Sequence, residues 1–235
     1  MNNEVKKEFS RTAAVIGNEG LCKLSKARVA VFGVGGVGGY VCESLARSGV
    51  GAIDLFDMDT VSLSNINRQI IALHSTVGRY KTEVMAERIR DINPDCIVNE
   101  HRVFYMPENA DEYDLSKYDF IVDAIDTVTA KIELATRATS LSIPFVSCMG
   151  TGNKLDVSKL AIADISKTTV CPLARVMRRE LRIRGINHIP VLYSTEIPMT
   201  SGTDENGKKV PASTAFVPAA AGLMIGAYVV KELVK

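Results

Sequence analysis

The sequence predicts an α/β fold: a mostly parallel sheet with helices on both faces, plus a C-terminal extension with additional strands and a final helix. Three observations carry this. Short apolar runs alternate with helix-length segments from Arg28 to about Gly150. The first run feeds a glycine turn and then a helix, in RVAVFGVGGVGGYVCESLARSG (28–49). Polar residues gather where the strands should end, and sheets of this kind hold their ligands there.

Residues 1–27 read as a polar N-terminal segment carrying Arg11, with a short helix around 17–27. A strand over Val29–Phe32 follows, then a helix over Tyr40–Ser48 closed by Gly49, and a second strand over Ile53–Asp57. A polar connection leads to a helix over Lys81–Ile92, stopped by Asn93 and Pro94. Next come a strand over Ile97–Val103, an acidic loop, a strand over Phe120–Ala124, a helix over Thr129–Leu141 and a strand over Phe145–Cys148. The stretch 213–230 is uncharged; it reads as a strand ending near Val217 and a buried helix from about Pro218 to Val234, with proline in its first turn. A span shortened by Pro218 falls below the ~20 residues a bilayer needs, so membrane contact is not expected.

Gly33, Gly35 and Gly38 fit G-x-G-x-x-G, the spacing that opens a Rossmann-like βαβ unit. Gly33 permits the tight turn, Gly35 lets main chain approach a phosphate, and Gly38 lets the helix pack closely. The helix N-terminus then offers unpaired N–H groups to the phosphates. Asp57 follows about 20 residues later, where an acid grips ribose hydroxyls. Asp59, Asn65, Asn67, Arg68, Gln69, Lys81, Asp123 and Asp126 fall at the same rim. Cations at Arg68 and Lys81, with acids opposite, suit a nucleoside triphosphate and a divalent metal better than a dinucleotide. The glycine spacing alone also permits an NAD-dependent oxidoreductase, which those cations and the lack of a hydride-transfer acid disfavour.

The 235 residues are 46% hydrophobic and 23% charged with net charge +1, so one α/β domain is expected and bulk charge predicts no polyanion partner. Five scattered cysteines without a C-x-x-C pair argue for reduced thiols in a cytoplasmic setting, with neither a disulfide framework nor a structural zinc. The N-terminal stretch mixes charges without an apolar core, unlike a signal peptide. His74, His101 and His188 lack metal-site spacing.

GVGGVGG, DMDTVSLSNINRQ, VGRYK and DAIDT, in this order, resemble the ubiquitin-activating-enzyme-like superfamily. The resemblance runs from about Arg11 to Val170. It implies adenylation of a carboxylate with ATP and Mg²⁺, releasing pyrophosphate. It also implies that Gly36 and its neighbours line the nucleotide loop, that Asp57 takes the ribose, and that Arg68 and Lys81 hold the triphosphate. Asp126 would bind the metal, and Asp126 and Thr127 would contact the nucleotide. Arg11 would reach the partner subunit's site in a homodimer.

INPDC, VSCMGTGNKLDVSKLAIADISKT, CPLARVMRRELRIRGI and YSTEIP further resemble the tRNA threonylcarbamoyladenosine dehydratases over nearly the whole chain. Those enzymes adenylate the threonylcarbamoyl carboxylate of a modified adenosine in tRNA, and cyclisation then expels AMP. On this reading residues 28–150 form a nucleotide-binding core and 151–235 a substrate-binding and dimerisation region. A sulfur-carrier or cysteine-desulfurase-type protein is a candidate partner beside the tRNA. The alternative function is an adenylyltransferase for a sulfur-carrier or ubiquitin-like protein C-terminus.

An RNA substrate gains support from Pro172–Arg184. Helical spacing puts Leu173, Val176, Met177 and Leu181 on one side and Arg175, Arg178, Arg179 and Arg182 on the other, a basic face suited to phosphates. Cys171 lies where a helix dipole could activate a thiol, although the cyclising nucleophile belongs to the substrate and no thioester is required. The Gly- and Pro-containing stretch 198–212 reads as a loop that orders on RNA.

Overall fold

The structure, a computed structural model, describes residues 6–199, 202–203, 209–210 and 212–235. Seven strands form one sheet: β1 (Arg28–Phe32), β2 (Ala52–Phe56), β3 (Ile97–His101), β4 (Phe120–Asp123), β5 (Phe145–Cys148), β6 (Leu160–Asp164) and β7 (Pro190–Ser194). Their order is β3-β2-β1-β4-β5-β7-β6, parallel throughout except β6, which runs antiparallel to β7. The helices are α1 (Ser10–Lys26), α2 (Gly38–Arg47), α3 (Lys81–Ile92), α4 (Val128–Ser140), α5 (Pro172–Ile183) and α6 (Phe216–Leu233).

The strands are apolar on both faces because both are covered. Val29 and Val31 join a core with Val41 and Leu45 of α2, Met85 and Ile89 of α3, and Ala221 and Ile225 of α6. Ala30 and Phe32 face the other way, onto Leu134 and Ala138 of α4 and Met177 and Leu181 of α5. This is the doubly covered parallel sheet that near-continuous hydrophobic strands require.

Two terminal elements differ from expectation. α1 begins at Ser10, well before residue 17, and Gly17 (φ 76°, ψ 163°) breaks it into two pieces. Buried Phe9 and Ala13 hold the first piece, a short contact that leaves little periodicity to read. Among the described residues no strand ends near Val217. The helix starts directly at Phe216, with Pro218 in the first turn where a missing N–H leaves no bond unmade.

α6 is long and apolar enough to cross a membrane by length and composition. Its small residues instead let it lie directly on α2: a β-carbon at Gly222 would sit 2.4 Å from the Val37 carbonyl oxygen, and one at Gly226 1.8 Å from Ser44 Oγ. The loop expected over 198–212 lies largely outside the described residues. Within them, Gly202–Thr203 pairs with Lys209–Val210, the Met199 N–H donates to the Asn153 carbonyl (2.8 Å), and the Asn153 N–H donates to that of Ala212 (2.7 Å).

Asp54, in the middle of β2, is fully buried. Its carboxylate accepts from Arg28 Nε and Nη2 (both 3.0 Å), Asn99 Nδ2 (2.9 Å) and Tyr118 Oη (2.8 Å), with His101 Nε2 at 3.1 Å. Burial alone would push this carboxyl up. The converging donors outweigh it and hold the group well below the usual carboxylate range.

Candidate active site

The chain leaves β1 for β2 and β3 on one side and returns to β4 on the other. This reversal opens a crevice at the carboxyl ends of β1 and β4. A cavity of about 330 Å³ occupies it, lined by the glycine turn, the ends of β2 and β4, the 65–69 segment, Thr151, Ser213 and Pro218.

The glycines have separable roles. Gly33 has φ +89°, and a β-carbon there would lie 2.6 Å from the Ala124 carbonyl oxygen, so the turn presses against the end of β4. Gly38 does not line the cavity; a β-carbon on it would meet the Gly33 carbonyl oxygen at 1.7 Å, which locks the start of α2 over the turn. Gly35 has nothing nearer than Gln69 Nε2 at 3.8 Å and stands open. Among the described residues the N–H groups of Gly35, Gly36 and Val37 have no hydrogen-bond partner. Unpaired amides at a helix start are an anion site.

Asp57 ties this turn to β2. Its Oδ2 accepts the Val34 N–H (2.8 Å) and its Oδ1 the Asp59 N–H (2.9 Å). Burial pushes the Asp57 carboxyl up, while Lys81 and the two amides pull it down. Lys81, at the first position of α3, is 6% exposed. Its Nζ lies 2.6 Å from Asp59 Oδ2 and 3.8 Å from Asp57 Oδ1. Arg68 Nη1 donates to the Ser64 carbonyl (3.0 Å) and to Asn67 Oδ1 (2.9 Å), while its aliphatic part passes close to Gly36. Asn65 sets the bend of this segment: its Oδ1 accepts the Ser62 N–H at 3.1 Å.

Gly33, Gly35, Gly36, Asp57, Asp59, Asn65, Arg68, Gln69, Lys81 and Asp126 all line the cavity. Asn67 stands outside it, and its Nδ2 donates to the Ser213 carbonyl (3.0 Å), tying the Arg68 segment to the approach of α6. Thr127 is the residue before α4 and is not in the wall. Asp123, expected at the rim, is buried beneath it against Lys131. Arg11 is exposed on α1 and does not reach its own chain's crevice.

Sequence reasoning missed the apolar wall of Met58, Val103 and Phe104, which follow β2 and β3 and form a slot suited to a base. Their place just past strand ends was a usable signal. Ser213 and Pro218 had none, because they arrive from a distant part of the chain.

The residues present fit ATP. Gln69 is 7% exposed and its Oε1 has no partner, a buried acceptor waiting for a donor at the cavity wall. For a metal, Asp126 offers a single carboxylate, and no group of three His, Cys, Asp or Glu side chains occurs among the described residues. That suits Mg²⁺, which takes one or two carboxylates and fills its shell with phosphate oxygens and water.

On α5, Ala174, Met177 and Leu181 are buried, and Arg175, Arg179 and Arg182 are exposed. Two residues depart from expectation. Val176 is exposed, since the helix buries a narrower stripe than assumed. Arg178 is turned to the protein, its Nη1 donating to Thr168 Oγ1 (2.6 Å) and the Thr168 carbonyl (3.0 Å), so it braces the preceding turn instead of facing solvent phosphates. Cys171 and Cys148 are buried and neither lines the crevice; burial pushes the Cys148 thiol up to about 12.

An open glycine-rich turn at a switch point, with two cations and an acid in the same cavity, marks a nucleotide-binding α/β protein. Residues 9–235 match the ThiF family, and the chain belongs to it. It is 44% identical to the tRNA threonylcarbamoyladenosine dehydratase of Bacillus subtilis, over 97% of this chain and 95% of that one. It is 39% identical to the Escherichia coli enzyme of the same name, over 84% and 78%. The crystal structure of the E. coli tRNA N6-threonylcarbamoyladenosine dehydratase, TcdA, in complex with ATP superposes with a TM-score of 0.90 at 35% identity, covering 97% of this chain and 94% of that chain.

Proposed function

We propose that this protein is an ATP-dependent tRNA threonylcarbamoyladenosine dehydratase. A carboxylate oxygen of the threonylcarbamoyl group attacks the α-phosphorus of ATP, and the bond to pyrophosphate breaks. A nucleophile of the substrate then attacks the acyl carbon, and AMP leaves with that carboxylate oxygen, so the nucleoside loses one water. Two anions meet in the first step, which makes fixed positive charge the main catalytic requirement. The observation that carries this reading is the convergence of Arg68, Lys81 and Asp126 on the open glycine turn within one crevice.

In this reading the amides of Gly35 and Gly36 cradle phosphate, Asp57 takes the ribose, and Met58 and Phe104 flank the base. Arg68 and Lys81 neutralise triphosphate oxygens. Mg²⁺, when bound at Asp126, adds Lewis-acid charge on those oxygens. The exposed Arg175, Arg179 and Arg182 supply phosphate contacts to tRNA. Arg11 completes the site of a second copy in a homodimer, which its exposure on α1 and the exposed Val15 and Leu223 support. Free thiols and the packing of α6 on α2 support a cytoplasmic enzyme without membrane contact.

The test is incubation with ATP, Mg²⁺ and threonylcarbamoylated tRNA, followed by mass analysis of the nucleoside. Loss of one water with release of AMP and pyrophosphate is expected. Pyrophosphate exchange stimulated by a protein with a Gly-Gly tail, and not by the tRNA, would overturn the reading.

A further inference from the structure

Beneath the crevice, Lys131 of α4 and Asp123 of β4 form an ion pair with both side chains wholly buried. Lys131 Nζ donates to Asp123 Oδ1 (3.0 Å), lies 2.9 Å from Oδ2, and donates to the Ile125 carbonyl (3.1 Å). Asp123 Oδ1 also accepts the Ile125 N–H (3.1 Å), and Oδ2 accepts Ser147 Oγ of β5 (2.5 Å). Every strong hydrogen-bonding position of the pair is therefore used.

A buried pair of this kind is a poor stabiliser. Desolvating two charges costs several kcal/mol each, and well-packed apolar side chains of similar size often serve the fold as well or better. What apolar residues cannot do is hold main-chain groups in place. Here the two peptide planes that lead to Asp126 are both tied to the pair: the 124–125 plane through the Ile125 N–H, the 125–126 plane through the Ile125 carbonyl. Ala124 is fixed as well, its N–H donating to the Phe32 carbonyl (2.8 Å). Asp126 itself is exposed at the cavity wall and has no hydrogen bond of its own among the described residues.

We infer that Lys131, braced by Asp123, is the positioning residue for Asp126, and that its role in the reaction is to hold that carboxylate where it meets the metal and phosphates of the bound nucleotide. The inference rests on the metal role proposed for Asp126. Removing a group that orients a metal ligand typically costs roughly 10- to 100-fold in metal affinity or activity.

The test uses the full chain with the pair made apolar, Lys131→Met with Asp123→Leu, and follows ATP binding by calorimetry as Mg²⁺ is raised. The variant is expected to fold and to bind ATP in EDTA as the parent does, because the glycine turn and Asp57 are untouched. Its Mg²⁺ requirement should rise roughly 10- to 100-fold. An unchanged Mg²⁺ requirement, or a parallel loss of binding in EDTA, would overturn the inference. If the apolar pair does not fold, Lys131→Arg keeps the charge but cannot put one ammonium between Asp123 and the Ile125 carbonyl, and the same rise is expected. Loss of folding in both would make the pair a requirement of the fold alone and overturn it too. Asp126→Asn separates the two levels. An unaltered Mg²⁺ requirement there overturns the metal role itself. An altered one there, with none in either Lys131 variant, overturns the inference only.

Discussion

Lys81 Nζ lies 2.6 Å from Asp59 Oδ2 in the crevice, so the cation proposed to hold phosphate already has an anion. Lys81 is 6% exposed, whereas the Asp59 side chain is 63% exposed, which makes Asp59 the partner that can leave. Removing its charge should therefore help the triphosphate compete. Asp59→Asn is expected to lower KM for ATP by roughly two- to fivefold, the scale of a half-exposed ion pair, with kcat little changed. A raised KM would mean that Asp59 itself holds the nucleotide.

Arg68→Ala and Lys81→Ala should each cut turnover by roughly 10²- to 10³-fold, the usual loss when one preorganised charge donor is removed. Release of pyrophosphate under saturating ATP is the measurement. Turnover at the parental rate in either variant would remove that residue from the chemistry.

Asp54 gives a prediction about acid stability. Its folded-state carboxyl is held below the unfolded value near 3.9, so the stabilisation it contributes is complete above that value and fades as pH falls through the folded one. Asp54→Ala leaves Arg28 and Tyr118 without their acceptor and should cost about 3–5 kcal/mol at neutral pH. Urea unfolding of parent and variant at pH 7 and pH 3 checks this: the gap between them should narrow in acid, and a constant gap would refute the charge argument.

Cys171 precedes α5 yet is buried and outside the crevice wall, which places it poorly to take an acyl group from the nucleotide site. Cys171→Ala is expected to keep parental turnover and to leave no hydroxylamine-sensitive adduct to find. A loss beyond tenfold, with folding intact, would restore a thioester route.

Substituting Arg175 and Arg182 should weaken tRNA binding and reduce the slope of log affinity against log salt, by roughly 0.7–0.9 for each phosphate no longer neutralised. ATP binding should not move, because α5 does not line the nucleotide cavity. Arg178→Ala should instead lower stability, since its guanidinium braces the Thr168 turn.

The parallel sheet, the glycine turn and the rim of Arg68, Lys81 and Asp126 were legible because local pattern determines each of them. The α3 boundaries came out unchanged, since Asn93 and Pro94 end that helix whatever surrounds it. The Lys131–Asp123 pair was not legible: a lysine eight residues after an aspartate says nothing until α4 docks on β4. Arg178 was placed on the wrong side for the same reason, held by a carbonyl from another segment, and nothing local shows that Asn67 donates to the Ser213 carbonyl. Helical spacing tells which way a side chain starts, not what it finds.

The packing of α6 on α2 has a consequence for biosynthesis. Helix α2, which follows the glycine turn, emerges from the ribosome early, while the glycines that pack against it, Gly222 and Gly226, emerge much later. Through most of translation one flank of α2, including Val41, is left bare, and the nascent chain carries a greasy unpaired surface. A stop codon placed before Phe216 is therefore expected to produce a polypeptide captured by chaperones and degraded, even though Gly35, Gly36, Arg68, Lys81 and Asp126 of the crevice all precede it.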